Sequence, residues 1–338
     1  MKRKHEAPWS TGAWRKQLAD VITDVGELLQ ILELQGGTPT GIPSALRRFP
    51  LRVPRAFVDR MRRGDSADPL LRQVLPILEE DRKVPGFTTD PVGELVSPPR
   101  DAVLQKYRGR ALLMVTGTCA VHCRYCFRRH SPCADRETVA RVFDAAIRRI
   151  AADPTIAEVI LSGGDPLTLP DTELGVLAMR LAALPNVRRL RIHSRMPIVL
   201  PQRVDTRLTT WIGGLEVPAI VVVHVNHANE IDDDVRRALA ALAATGAILL
   251  NQAVLLRGVN DTADVLSNLS QSLFDADVLP YYLHMLDAVE GAAHFRVPDE
   301  AAKNLYGELT ARLPGYLVPK LVREVPGAPA KIGVDLWS

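Results

Sequence analysis

The 338-residue sequence contains only four cysteines, and aromatic residues make up only 5% of it. It lacks any apolar run of the roughly 18–20 residues that a membrane-spanning helix requires. Its basic N-terminus also lacks the apolar stretch of a secretory signal peptide. A net charge of +3 gives no indication of nucleic-acid binding, and a hydrophobic fraction of 47% excludes a disordered chain. We therefore expect a cytoplasmic, globular protein without membrane or nucleic-acid partners.

The cysteines are clustered rather than dispersed. Cys119, Cys123, Cys126 and Cys133 account for all four, and they lie close together in the middle of the chain. A disulfide framework would distribute its cysteines to close long loops, and a cytosolic chain would keep them reduced. The clustering therefore indicates a metal site.

Three regions differ in their sequence patterns. Residues 1–95 contain short helical segments separated by proline and glycine, residues 96–290 alternate between strand and helix, and residues 291–338 form a C-terminal segment. The helices are predicted at 20–34, 44–49, 54–61, 69–78, 138–152, 174–184, 206–215, 232–246 and 263–276, and the strands at 111–117, 157–163, 187–193, 219–225, 247–256 and 278–284. Helices between successive strands imply a parallel sheet, either open and doubly wound or closed into a full or partial barrel.

Polar residues follow or end each predicted strand. These strand ends read TGTC, SGGDP, HSRMP, HVNH, NQ and LHMLD. The carboxyl ends of parallel strands meet at one edge of a sheet, which is where active sites of such folds lie. The pattern therefore predicts a polar cavity at that edge.

The string CAVHCRYC places Cys119, Cys123 and Cys126 on one loop with the spacing C-x3-C-x2-C. Thiolates bind zinc and iron–sulfur clusters. Three cysteines on a [4Fe-4S] cluster would leave one iron open to a small molecule. Zinc stays the alternative, with Cys133, His122 or His130 as a fourth ligand.

This loop, with Tyr125 before its last cysteine, resembles the cluster motif of the radical S-adenosylmethionine superfamily. The resemblance implies that the three cysteines hold a [4Fe-4S] cluster whose open iron binds S-adenosylmethionine. The string SGGDP then matches the superfamily's glycine-rich motif, and it implies that Ser162, Gly163, Gly164 and Asp165 bind that cofactor. Glycine permits close approach of the backbone, and the aspartate can accept a hydrogen bond from an ammonium group.

A narrower resemblance is to the lysine 2,3-aminomutase family, and especially to its short bacterial branch, which acts in β-lysylation of elongation factor P. The matching strings are KYRGRALLMVTGTCAVHCRYCFRR, LSGGDPL, NQAVLLRGVND, PYYLHMLD, GAAHF and GYLVPKLVREVPGAPAKIGV. The resemblance implies an α/β fold, a partial (β/α)6 TIM-like barrel with a helical N-terminal region and a C-terminal cofactor-binding tail. It also implies pyridoxal 5′-phosphate, bound as a Schiff base by Lys331 and contacted by Tyr107 and Arg110.

The same resemblance assigns the substrate contacts. It places Arg128 on the substrate carboxylate, and Asp287 and Glu324 at the far end of the substrate. Two carboxylates favour the ε-ammonium of L-lysine over glutamate. The reaction implied is transfer of the amino group from Cα to Cβ, which gives β-lysine and requires an external electron donor for the cluster.

Two other functions stay open at this point. One is a different amino-acid 2,3-aminomutase, specific for glutamate or for lysine in catabolism, and the other is a non-catalytic zinc-binding protein. Longer family members use further cysteines for a metal site between subunits. No cysteine follows Cys133, and Thr262 stands at one such position, so we expect that site to be missing and leave a homo-oligomer open.

Overall fold

The computed structural model of the protein describes residues 9–34, 45–94, 102–131 and 136–334. Cys133 lies outside these residues, as do residues 1–8, 35–44 and 95 of the predicted N-terminal region. In the part of the chain that is described, no helix combines the length and apolar character needed to cross a membrane.

Short helices form the N-terminal region, and longer ones alternate with strands after it. The helices are α1 (Ala13–Ala19), α2 (Val25–Ile31), α3 (Ala45–Arg48), α4 (Arg55–Val58), α5 (Pro69–Arg72), α6 (Arg136–Ala152), α7 (Asp171–Ala182), α8 (Met196–Val199), α9 (Thr206–Gly213), α10 (Asp233–Ala244), α11 (Ala263–Phe274) and α12 (Asp299–Arg312). Side-chain caps begin several of them, because an oxygen at the first position accepts from an otherwise free amide. Asp232 accepts from the amide of Val235 at 2.8 Å, and Thr262 accepts from that of Val265 at 3.4 Å. Thr262 thus has a local role in starting α11.

One nine-stranded sheet runs through the remainder of the molecule, with its strands in chain order. They are β1 (Val103–Leu104), β2 (Arg110–Thr116), β3 (Glu158–Gly163), β4 (Arg189–Ser194), β5 (Ala219–Val223), β6 (Ile248–Val254), β7 (Leu279–His284), β8 (Lys320–Arg323) and β9 (Ile332–Gly333). Strands β2 to β8 pair in parallel, whereas β1 and β9 pair antiparallel with their neighbours. Sequential parallel strands joined by helices give the expected partial barrel, with all carboxyl ends of β2–β8 at one edge.

The six predicted strands are confirmed as β2–β7. The sequence pattern did not predict β8, which extends the parallel sheet into the C-terminal segment. In this strand only Leu321 and Val322 are buried, between the exposed Lys320 and the half-buried Arg323, so the apolar run is too short to recognise. Strand β9 pairs back on β8 and places Lys331, the residue before it, beside the sheet.

A single hydrophobic cluster joins the N-terminal helices to the barrel. Trp14 on α1, Phe57 on α4 and Leu70 on α5 belong to the same cluster as Val115 on β2 and Leu161 on β3. Burial of each large apolar side chain contributes about 1.5–3 kcal/mol. Hydrophobic packing therefore holds the N-terminal region against the strands that carry the polar loops.

Candidate active site

The cysteine loop follows β2 and contacts the N-terminal region. Cys119, Cys123 and Cys126 are free and partly buried. Arg52 donates from Nε to the carbonyl oxygen of Cys119 at 2.9 Å, and the amide of Cys126 donates to the carbonyl of Cys123 at 3.0 Å. The loop is thus a defined turn whose first cysteine is held by a side chain from the N-terminal region.

Beneath this loop lies a buried ion cluster, formed by Glu80, Arg124 and Arg129 and called the Glu80 cluster below. The Glu80 carboxylate accepts from Arg124 Nε at 2.8 Å and from Arg124 Nη2 at 2.5 Å, and it also pairs with Arg129 Nη2. The three side chains are at most 2% exposed. Arg124 lies between the last two cysteines in sequence, so Glu80 fixes the loop from within the N-terminal region.

Burial favours the protonated form of two of the three thiols, those of Cys119 and Cys126. Burial raises the pKa of Cys119 well above its ordinary value, and it raises the pKa of Cys126 to about 11. The Arg128 guanidinium acts in the opposite direction on both thiols. Metal binding must therefore release protons, and the nearby positive charge compensates the resulting thiolates.

Three thiols on one loop suit an iron–sulfur cluster, in which each cysteine binds a different iron. In the described part of the chain, no group of three or more His, Cys, Asp or Glu side chains is arranged to hold one metal ion. A zinc site brings four ligands within about 2.3 Å of one point, whereas each cysteine of a [4Fe-4S] cluster binds a different iron. Of the other zinc ligands considered, His122 Nδ1 lies 2.9 Å from the carbonyl oxygen of Pro50, and His130 Nε2 lies 3.0 Å from that of Glu290.

Arg195, which sequence reasoning missed, contacts one of the three sulfurs. It follows β4 and donates from Nη1 to Cys123 Sγ at 2.8 Å. Its Nη2 donates to Gln73 Oε1 at 2.6 Å and to Glu230 Oε2 at 2.9 Å. Arg195 and Glu230 are both buried, and their ion pair keeps the Arg195 guanidinium beside Cys123.

The glycines of SGGDP lie where no side chain fits. Gly163 has φ +117°, and a Cβ built on it would lie 2.4 Å from the carbonyl oxygen of Thr116. A Cβ on Gly164 would lie 2.4 Å from the carbonyl oxygen of Thr118. The end of β3 therefore packs directly against the backbone that leads into the cysteine loop. Ser162 precedes these glycines and is buried.

Each oxygen of the Asp165 carboxylate accepts two hydrogen bonds from within the protein. Its Oδ1 accepts from Ser194 Oγ at 2.7 Å and from the amide of Leu167 at 3.0 Å. Its Oδ2 accepts from the amides of Arg195 at 2.7 Å and Met196 at 3.1 Å. These contacts join the end of β3 to the end of β4, while a contact of Asp165 with S-adenosylmethionine stays a prediction.

A row of alternating charges, called the ion chain below, runs from the cysteine loop to the C-terminal segment. Arg128 donates from Nε and Nη2 to the two oxygens of Glu94, at 2.7 and 3.0 Å. Lys106 Nζ lies 3.1 Å from Glu94 and 3.8 Å from Glu324. Lys331 Nζ then donates to Glu324 Oε2 at 2.6 Å. Three predicted site residues, Arg128, Glu324 and Lys331, are thus brought into one row, and sequence reasoning missed Glu94 and Lys106.

The other residues predicted to bind pyridoxal phosphate or substrate lie around the Lys331 end of the ion chain. Tyr107 donates its hydroxyl to Glu324 Oε1 at 2.6 Å, and the Arg110 guanidinium lies 4.8 Å from the centre of the Tyr107 ring. Arg110 Nε is buried and has no hydrogen-bond partner among the described residues. It could therefore donate to a bound anion. Burial raises the pKa of Asp287 to about 6, although Lys331 acts to lower it.

Three half-buried histidines form a further group that the sequence analysis left unassigned. His193 is the penultimate residue of β4, His224 follows β5 and His284 ends β7. The Nε2 atom of each is buried without a hydrogen-bond partner in the part of the chain that the structure describes. Burial holds the pKa of all three below the ordinary value, and Lys331 adds to this effect. In the sequence, these histidines could have been recognised as candidate site residues by their positions in the strand ends HSRMP, HVNH and LHMLD.

Comparison with known proteins shows the family to which the chain belongs. Residues 113–263 match the family model described as the radical SAM superfamily. The chain is 50% identical over 324 residues to the L-lysine 2,3-aminomutase of Escherichia coli (strain K12), covering 96% of this chain and 94% of that protein. It is 43% identical over 318 residues to that of Haemophilus influenzae, covering 94% of each. Identity to that of Clostridium subterminale is 33% over 330 residues, covering 97% of this chain and 79% of the relative.

The fold and the cysteine loop define a radical SAM protein, which implies a [4Fe-4S] cluster and S-adenosylmethionine. Within that superfamily, the chain belongs to the L-lysine 2,3-aminomutase family, a family of isomerases.

Proposed function

We propose that the protein converts L-lysine to β-lysine by moving the amino group from Cα to Cβ, with pyridoxal 5′-phosphate held by Lys331. The observation that carries this proposal is the ion chain. It places Lys331 and Glu324 at one end and Arg128, two residues after the last cysteine of the loop, at the other. When bound, the cluster and S-adenosylmethionine would supply the radical, and the pyridoxal group would stabilise it during nitrogen migration.

The residues of the chain have the chemistry that this reaction needs. Lys331 is half-buried, and its amine lies 2.6 Å from Glu324 Oε2. Arg110 offers a guanidinium for the cofactor phosphate, and Tyr107 orients Glu324 through its hydroxyl. His193, His224 and His284 add polar but uncharged side chains near Lys331.

Charge at the two ends of the ion chain favours L-lysine as substrate. Arg128 attracts a carboxylate, and Glu324 and Asp287 attract an ammonium group. The side-chain carboxylate of glutamate would face these two acidic residues and be repelled, so a glutamate aminomutase is disfavoured. The use of β-lysine in modification of elongation factor P rests on the sequence resemblance to the short bacterial branch, and it is proposed on that ground.

Product analysis under anaerobic conditions tests the proposed function. Protein loaded with iron, sulfide and pyridoxal 5′-phosphate is incubated with S-adenosylmethionine, a strong one-electron reductant and either L-lysine or L-glutamate. We expect β-lysine from L-lysine and no β-glutamate. Formation of β-glutamate alone would show that the protein is a different aminomutase. A colourless protein that binds only zinc would show that it is a non-catalytic zinc-binding protein.

Asp287 predicts a pH dependence of substrate affinity. Its carboxyl group, with a pKa of about 6, must lose its proton to attract the ε-ammonium group, which stays charged throughout this range. We therefore expect the dissociation constant of L-lysine to rise as the pH falls from 7 to 5, measured by absorbance of pyridoxal-loaded enzyme without reductant. Asp287→Asn should bind more weakly at pH 7 and lose this part of the dependence. An unchanged pH profile in the variant would exclude Asp287 from the ammonium site.

A further inference from the structure

The arginine expected to bind the substrate carboxylate already holds a carboxylate of the protein. Glu94 occupies the Nε–Nη2 edge of Arg128 in a two-point contact, at 2.7 and 3.0 Å. The remaining Nη1 makes only longer contacts, 3.3 Å to the carbonyl oxygen of Gly163 and 3.5 Å to Ser162 Oγ. This two-point contact is the geometry in which an arginine binds an α-carboxylate, so Glu94 occupies the edge that the substrate would use.

Glu94 is firmly ionised in this position. Its side chain is 8% exposed and that of Arg128 is 14% exposed, so solvent screens their attraction only weakly. Burial acts to raise the pKa of Glu94, but the Arg128 and Lys106 charges outweigh it and hold the pKa below its ordinary value. A substrate carboxylate must therefore compete with a charged group.

Lys106 offers Glu94 a second partner. Its Nζ lies 3.1 Å from Glu94 Oε1, against 3.8 Å from Glu324, so Glu94 can leave Arg128 and keep a cation beside it. Lys106 and Gly93, the residue before Glu94, both line a cavity of about 210 Å³ that also reaches Glu324. The displaced side chain has open space next to its second partner.

At the other end of the ion chain, too, a residue expected to bind substrate is already paired with a charged group of the protein. Glu324, expected to bind the ε-ammonium group, is paired with the Lys331 ammonium at 2.6 Å. A Lys331 bound to the pyridoxal group would no longer offer this ammonium to Glu324, which could then pair with the ε-ammonium group of an arriving substrate. In the protein itself, Glu94 thus takes the place expected for the substrate carboxylate, and the Lys331 ammonium takes that of the substrate ε-ammonium.

We propose that Glu94 is an internal competitor for the substrate carboxylate and thereby sets the affinity of the site for L-lysine. On binding, the substrate takes Arg128, and Glu94 pairs with Lys106 alone. This inference rests on the proposed function, since it takes Arg128 as the carboxylate site. Glu94 therefore acts selectively on ligands with a carboxylate, because a ligand without one does not need to displace it.

Two ligands separate competition from other effects of Glu94. L-Lysine and 1,5-diaminopentane differ only in the α-carboxylate, and both can react with the pyridoxal group. Their dissociation constants are measured by absorbance of pyridoxal-loaded enzyme, without S-adenosylmethionine or reductant, so that no turnover occurs. In Glu94→Gln the competitor loses its charge, and we expect about tenfold tighter binding of L-lysine, equivalent to about 1.4 kcal/mol. Binding of 1,5-diaminopentane should change less than twofold.

The matched control is Glu308→Gln, which removes an exposed glutamate from α12 and should leave both constants unchanged. If Glu94 instead only orients Arg128, Glu94→Gln will bind L-lysine more weakly, and the proposal is overturned. An equal change for both ligands, or none for either, overturns it as well. Failure of both ligands to alter the absorbance of the unmodified enzyme would contradict the proposed function rather than the role of Glu94.

A second variant covers the case in which Glu94→Gln does not fold. Glu94→Asp keeps the charge but shortens the side chain by one methylene, which weakens the two-point contact with Arg128. We expect about threefold tighter binding of L-lysine, again with little change for 1,5-diaminopentane. Unchanged or weaker binding of L-lysine in this variant overturns the proposal.

Discussion

Glu80→Ala is expected to lower the free energy of unfolding by about 3–5 kcal/mol and to abolish loading of the cluster. The substitution leaves the guanidinium groups of Arg124 and Arg129 without the carboxylate that both of them pair with. Neither group can reach water without opening the loop, because Arg124 is 0% and Arg129 is 2% exposed at the side chain. The loop that carries Cys123 and Cys126 should therefore lose its defined position.

Urea unfolding and the content of iron and acid-labile sulfide measure these two effects. Glu79→Ala is the matched control, since Glu79 is the adjacent residue and is exposed. It should unfold as the unmodified protein does, within about 0.5 kcal/mol, and load a full cluster. Normal stability of Glu80→Ala would show that the two arginines find other partners, and normal iron content would show that the loop does not depend on them.

Lys331→Ala is expected to remove the absorbance of enzyme-bound pyridoxal phosphate and to reduce β-lysine formation below detection. The amine is the only group at this position that can bind the cofactor covalently. The fold should persist, because the side chain is partly exposed and its pair with Glu324 contributes about 1 kcal/mol or less. The iron and sulfide content should likewise be unchanged, since the cysteine loop lies at the other end of the ion chain.

Lys320→Ala provides the comparison for this variant. Lys320 is the other lysine in the last thirty residues, and it is exposed at the start of β8. It should retain both the absorbance and the activity. Absorbance that survives in Lys331→Ala would assign the covalent bond to another lysine, and Lys106 would be the first to test because it lies 3.8 Å from Glu324.

Local patterns in the sequence were sufficient for most of the sheet. Strands such as β5 consist of consecutive buried apolar residues, and a run of that kind is visible without knowledge of the fold. Strand β8 was missed because its two buried residues are flanked by Lys320 and Arg323, so it forms only by pairing with β7. The cysteine spacing and the SGGDP string are also local, which is why they could be read directly.

The partners of the site residues were not predictable in this way. Glu80 and Arg129 are 49 positions apart, and Gln73 and Arg195 are 122 apart, so no periodicity relates them. Glu94 lies in a stretch rich in proline and glycine that resembles a linker, 34 positions before Arg128. Its contact with Arg128 joins two segments distant in sequence, which composition does not specify.

The positions of the Glu80 cluster and of Lys331 along the chain imply an order of maturation during synthesis. Glu80 leaves the ribosome before the cysteine loop, so the carboxylate that fixes the loop is present when the thiols first become available for iron. Lys331 follows only after β8, near the end of translation. The side chains that hold the cysteine loop, from Glu80 to Arg195 and its partner Glu230, all precede β8, whereas the proposed capture of pyridoxal 5′-phosphate by Lys331 must wait until the last strands of the sheet have been added.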